Sequence, residues 1–168
     1  MAETNRTRFF QTKPLDQVLY TTLEFYNPNA GLRRFVASQV LPKEFTLEAD
    51  APRNASAIVE FEPVSMEAPE PEIGEDGAEL DINLGAVGLE GYEYLNAVMS
   101  AWPPTIDIVW RQYLSGVTQP VGVLYLQAEA PSINLQSLTM RASQVNPRGR
   151  SVALIAKEDK YLGLRGAL

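Results

Sequence analysis

The stretch that decides the fold reads Thr105-Ile-Asp-Ile-Val-Trp-Arg-Gln-Tyr-Leu114. It breaks at Ser-Gly-Val-Thr-Gln-Pro, resumes as Val121-Gly-Val-Leu-Tyr-Leu-Gln-Ala-Glu-Ala130, breaks again at Pro-Ser, and ends as Ile133-Asn-Leu-Gln-Ser-Leu-Thr-Met-Arg-Ala-Ser143. Each run has strand length, is rich in β-branched and aromatic residues, and is bounded by turn formers. No segment of helical period interrupts them. Consecutive strands joined by short connections usually pair antiparallel, so the C-terminal half is expected to be a β-meander. In the first run Trp110 falls in register with Ile106 and Ile108, which predicts a buried indole.

Upstream of this meander lies the one helical signal. Leu89, Tyr92, Leu95, Val98 and, less regularly, Met99 fall on one stripe, and Pro103-Pro104 stops the pattern. Earlier still, Gln17-Val-Leu-Tyr-Thr-Thr-Leu-Glu-Phe-Tyr-Asn alternates as a strand. Leu19, Thr21, Leu23 and Phe25 share one face; Val18, Tyr20, Thr22, Glu24 and Tyr26 share the other. Asn27-Pro-Asn-Ala-Gly is turn chemistry, and a second strand from Leu32 to Val40 makes residues 17–40 a hairpin. The segment around Pro42 and Leu47 to Pro52 reads as a linker. Residues 55–63 read as a third strand, with Ile58 on one face and Val59 and Phe61 on the other.

Residues 63–78 are rich in proline and acid and read as a loop, because like charges and prolines do not build a core. Leu80, Ile82 and Leu84 alternate as a short strand. Residues 145–150 are a turn, residues 151–156 a short apolar strand, and Tyr161 opens the closing tail. The expected fold is mainly β, a β-sandwich or barrel-like set of antiparallel sheets, with one short α-helix near 88–101. The expected organisation is an N-terminal arm at 1–14 and a single β-rich domain at 15–168 that carries the acidic loop at 63–78.

The chain of 168 residues contains neither cysteine nor histidine. Disulfide scaffolds, Cys/His zinc sites, cysteine nucleophiles and Ser-His-Asp triads are therefore excluded. The formal net charge is −7, and the cations are scattered, with Arg6/Arg8, Arg33-Arg34 and Arg148/Arg150 the densest groups. That is no footprint for phosphate, so specific nucleic-acid binding is not expected. No apolar run suits a membrane span, and the first residues do not resemble a signal peptide.

Carboxylates are the remaining chemical resource. Glu70, Glu72, Glu75, Asp76, Glu79 and Asp81 cluster in sequence, without the spacing of an EF-hand. A solvated acidic loop is the simpler reading than a calcium site. Ser151 and Lys157 lie close in sequence, but no nucleophile elbow or phosphate loop accompanies them. No catalytic residue, cofactor or metal is expected. The candidate contact residues are Phe9 and Phe10 on the arm, Trp102 at the helix end, Arg148 and Arg150 in the late turn, and Tyr161 in the tail. For Phe9-Phe10, ordinary packing is the plainer alternative to a partner contact.

Three segments carry a resemblance: Leu19-Tyr-Thr-Thr-Leu-Glu, Pro103-Pro-Thr-Ile-Asp-Ile-Val-Trp-Arg-Gln-Tyr, and Leu135-Gln-Ser-Leu-Thr-Met-Arg-Ala-Ser with the closing Tyr161-Leu-Gly-Leu-Arg-Gly. Together they resemble a family of short minor tail proteins of tailed bacteriophages, encoded after the tape measure. The family ends in aromatic-Pro-Gly-Leu; here the proline is missing from Tyr161-Leu-Gly-Leu. The likeness spans about two thirds of the chain and carries no catalytic residue. It implies a structural component of the tail tip, a distal tail or baseplate ring joining tube, tape measure and hub. It implies a homo-oligomeric ring, a hexamer rather than a trimer, found in the virion and assembled in the host cytoplasm, away from membranes. The alternative expectation is a carbohydrate- or receptor-binding β-sandwich module.

Overall fold

The computed structural model describes residues 17–66, 69–74, 77–85, 88–100, 104–129, 132–133 and 137–144. The elements are β1 (Leu19–Asn27), β2 (Gly31–Ala37), β3 (Lys43–Thr46), β4 (Ile58–Val64), β5 (Glu72–Gly74), β6 (Gly77–Gly85), α1 (Gly88–Met99), β7 (Thr105–Leu114), β8 (Gly122–Glu129), β9 (Ser132–Ile133) and β10 (Ser137–Ser143). The fold is mainly β with a single short helix among the described residues, as the sequence implies.

The strands hydrogen-bond in the order β3-β4-β2-β1-β7-β8-β10-β6-β5, with β9 attached to β10. The expected hairpin is β1–β2, and the expected meander is β7–β8–β10. What joins them is the long antiparallel pairing of β1 with β7, from Leu19↔Leu114 to Tyr26↔Asp107. The sheet then curls back on itself. Met66, just past β4, bridges Leu84 of β6, and Gly85 N donates to Ser65 O at 2.9 Å. A right-handed twist accumulated over successive strands favours such curling, and closure removes open edges. The result is barrel-like.

Three expectations are corrected. The sheet is not wholly antiparallel: β2 and β4 run parallel through Phe35↔Glu62, Val36↔Pro63 and Ala37↔Val64. The linker after Pro42 contains a strand, β3, which pairs with the first half of β4. The acidic 63–78 segment is only partly loop, because β5 pairs with β6 as a tight hairpin. In this hairpin Ile73 of β5 opposes Ala78 of β6; Ala78 turns into the core while Ile73 stands in solvent.

The barrel interior takes the odd residues of β1 and the even residues of β7. Leu23, Phe25, Ile106, Ile108 and Trp110 meet Leu80, Ile82 and Leu84 of β6, Leu126 of β8 and Met140 of β10. Each fully buried side chain of this size contributes about 1.5–3 kcal/mol. Trp110 is fully buried, as its register predicts, and its indole N–H donates to Pro69 O at 2.9 Å. Helix α1 closes on the same core through Tyr94, Leu95 and Val98. Met99, the irregular member of the expected stripe, is exposed, and Tyr94 occupies the core instead. Leu89 and Tyr92 lie outside the described side chains. Asn27 fixes the end of the first hairpin. Its Oδ1 accepts from the Asn29 and Ala30 amides, and its Nδ2 donates to Thr105 O, while Gly31 takes the positive φ that the turn requires.

Candidate functional site

The even residues of β1 and the odd residues of β7 form the outer face of the barrel wall. An ordinary one-sided sheet would leave that face wet. Here it is covered: β3, the first half of β4 and the loop at 47–57 fold over it. Phe45 stacks on Tyr113 with ring centroids 4.3 Å apart, and Val36, Leu47, Ala51 and Phe61 fill the space beneath. The loop is shaped by its own backbone, since Ala51 N and Ser56 N both donate to Glu48 O.

Beneath this cover sits a charge network. The Arg111 guanidinium forks Glu48, with Nε to Oε2 at 2.7 Å and Nη2 to Oε1 at 2.9 Å, and its Nη1 reaches Glu24 Oε2 at 3.4 Å. Arg34 Nε donates to Glu24 Oε2 at 2.9 Å, and Arg53 Nη1 to Glu24 Oε1 at 3.3 Å. Arg53 continues to Asp107 at 3.2 Å and lies over the Tyr26 ring, 3.7 Å from its centroid. Tyr125 donates its hydroxyl to Glu48 Oε1, and Arg34 also reaches Asn54 Oδ1. Arg34, Arg53 and Arg111 thus face Glu24, Glu48 and Asp107, three charges against three. Glu24 and Arg111 are fully buried.

Burial works against the charged form of Glu48, but the Arg111 hydrogen bonds outweigh it and hold the carboxyl below its ordinary value. Burial likewise opposes the Arg111 charge, and Glu48 with Glu24 overcomes it and raises the pKa. The Tyr125 hydroxyl is pushed up to about 12 by burial and by the Glu48 charge beside it. All four oxygens of Glu24 and Glu48 accept hydrogen bonds, so neither carboxylate is poised to take a proton from a substrate. Chemically the network is a clamp: it ties the 47–57 loop to β1, β7 and β8.

Two surface features flank the covered face. An open groove of about 910 Å³ runs between β3 and the turn at 114–118, with Tyr20, Ile58 and Glu60 in its walls. A smaller recess of about 360 Å³ lies beside Arg53, Asp107, Tyr125 and Gln127. Large apolar side chains stand in solvent near the sheet edges: Val40 is 91%, Leu41 72% and Ile58 68% exposed near β3, and Ile73 of β5 is 80% exposed.

The expected contact residues Phe9, Phe10, Trp102, Arg148, Arg150 and Tyr161 all lie outside the described residues. Of the acidic cluster, Glu79 and Asp81 pair with Arg141 on the β6–β10 surface. Among the described residues no three acidic side chains converge as a cation would need, and no helix is long and apolar enough to cross a membrane. The charge network was not anticipated. Its signal is a charged residue in mid-strand, Glu24 and Arg111, with aromatic neighbours Tyr26 and Tyr113 two positions away on the same face. No family model matches the chain, and no curated protein matches it.

Proposed function

We propose that this chain is a structural component of a tailed-phage virion, a tail-tip protein that works by joining neighbours. The observation that supports this best is the apolar surface at two separate sheet edges, Val40 and Leu41 near β3 and Ile73 on β5. Large apolar groups in solvent mark contact surfaces. Exposed apolar groups at two different edges of one molecule, Val40-Leu41 at one and the single Ile73 at the other, suit a head-to-tail interface, which closes into a ring when repeated by rotation. The clamp of Glu24, Glu48 and Arg111 fits the same role, since it stiffens the wall and commits both of its carboxylates to arginine hydrogen bonds. The likeness to minor tail proteins supplies the setting: partners in the tube, tape measure and hub, with a hexameric ring.

Cryo-electron microscopy of intact particles from a phage encoding the chain tests this. The expected result is density for the barrel at the distal tail in six-fold arrangement. Purified, infectious particles that lack the chain altogether would sink the proposal. A second reading, a carbohydrate-binding module, draws on the recess where Tyr125, 43% exposed, stands beside Asp107 and Gln127. Aromatic faces beside polar side chains suit sugar rings, but a single exposed ring is a meagre platform. Glycan-array binding abolished by Tyr125→Ala would favour it.

A further inference from the structure

We infer that the groove along the free edge of β3 is a docking site for an extended segment of a partner protein in which basic and apolar residues alternate, bound as an added strand. The inference concerns one surface and does not depend on the virion reading. In the β3–β4 ladder, Leu47 N donates to Ala57 O at 2.9 Å, and the register continues as Phe45↔Val59 and Lys43↔Phe61. Bonded pairs alternate in an antiparallel ladder, so the main-chain N–H and C=O groups of Glu44 and Thr46 point away from β4. Among the described residues no strand pairs with that side of β3. Such an edge is a template for another strand, and recognition by strand addition uses main-chain groups of this kind.

The space beside the edge is open, and its far wall is preformed. The groove of about 910 Å³ lies between β3 and the turn at 114–118. That turn is fixed to the start of β1: Ser115 N donates to Val18 O at 2.9 Å, and Val18 N donates to Ser115 Oγ at 2.9 Å. Val117 N closes the turn on Leu114 O at 3.0 Å. A wall held in place beforehand lowers the ordering cost of binding.

The two faces of β3 name the occupant. Side chains of an added strand alternate between the same two faces. On one face Glu44 stands directly opposite Glu60, both exposed, a like-charge pair that destabilises the ladder. The one cation among the groove's described lining residues, Lys43, is on the other face, 4.7 Å above the Tyr20 ring. On that second face Tyr20 and Phe45, both half-buried with ring centroids 5.5 Å apart, offer an apolar floor. A strand with a cation at every second position therefore meets the glutamates with one face and the rings with the other. Such complementarity fixes register as well as attraction. A second copy of this chain is a poorer match, because β5, at the other end of the strand order, would bring Glu72 against these acids, and the chain's net charge is −7.

The probe is a short synthetic peptide alternating lysine and valine, titrated into the full chain and followed by calorimetry and hydrogen exchange. The expected result is saturable binding, with the Glu44 and Thr46 amides exchanging roughly ten-fold more slowly in the complex and the β1–β7 amides unchanged. The same peptide N-methylated along its backbone, which cannot extend the ladder, should not bind. The exposed charge swap Glu44→Lys/Glu60→Lys should weaken the lysine-valine peptide roughly ten-fold and admit a glutamate-valine peptide instead. Equal binding of the N-methylated peptide would overturn the inference, because charge alone would then suffice. Edge amides already slow in the free chain, at every protein concentration, would overturn it by showing the edge covered. Protection that grows with protein concentration and without peptide would overturn it in favour of a second copy.

Discussion

Strands β1 and β7 have two buried faces of opposite character, and adjacent residues display the contrast. Leu23 and Glu24 are both fully buried, as are Trp110 and Arg111. Leu23 and Trp110 point into the barrel among apolar side chains, whereas Glu24 and Arg111 point outward into a charge network sealed by β3 and the 47–57 loop. Depth of burial is the same; what differs is how each face is stabilised. The inner face relies on the removal of apolar surface from water, which is non-directional and tolerant of shape. The outer face relies on satisfied hydrogen bonds between ions, where each partner is tolerable only because the others are present.

The largest expected effect tests the inner face. Trp110→Ala should destabilise by about 3–5 kcal/mol, from lost burial and the cavity left behind. Chemical denaturation with an unchanged m-value is the measurement. A shift below about 1 kcal/mol would mean that the indole belongs to a contact surface rather than the core.

Next comes the outer face. Arg111→Met should cost about 3 kcal/mol, because Glu48 then keeps only the Tyr125 hydroxyl as a side-chain donor in a dry setting. The double variant Arg111→Met/Glu48→Leu should recover most of that loss, since apolar groups of similar size often replace a buried pair at little cost. Additive losses in the double-variant cycle would contradict the clamp, because independent sites add and coupled ones do not.

The two faces should also separate with pH. Glu48 has its folded pKa lowered, so its contribution is complete above the ordinary value of 4.5 and is lost as pH falls below that toward the folded value. The melting temperature of the wild-type chain should therefore drop more steeply below about pH 4.5 than that of the Arg111→Met/Glu48→Leu variant. Parallel acid limbs for the two proteins would show that the network does not set acid stability.

The same contrast explains what could be read from the sequence. The inner face announces itself by alternation: Ile106, Ile108 and Trp110 imply a buried stripe, and Leu80, Ile82 and Leu84 imply its partner. The outer face carries a pattern that, taken strand by strand, means solvent. Glu24 and Arg111 lie 87 positions apart, and nothing local says that a four-residue strand after Pro42 will fold over both. β3 is legible only in hindsight, since Lys43-Glu-Phe-Thr46 is too short to distinguish from a linker and owes its shape to Phe45 stacking on Tyr113. The parallel pairing of β2 with β4 is hidden for a related reason, because it depends on the β3 detour between them. The grooves follow from those non-local events, and so they too lie beyond strand-by-strand reading.

The smallest effect marks the boundary between the two regimes. Tyr125 sits on β8 with its ring 43% exposed and its hydroxyl 3.1 Å from Glu48 Oε1. Tyr125→Phe removes one donor from a carboxylate that still has the Arg111 fork, so the cost should be about 0.5–1.5 kcal/mol, at the lower end because water can reach the vacated oxygen. The alkaline limb should change as well. The raised tyrosine pKa contributes stability present below the ordinary value of 10 and lost as pH rises toward about 12, and the phenylalanine variant lacks that component. A loss as large as that of Arg111→Met would mean that the clamp is held from β8 rather than from β7, and the outer face would then have its keystone on the exposed rim instead of under the cover.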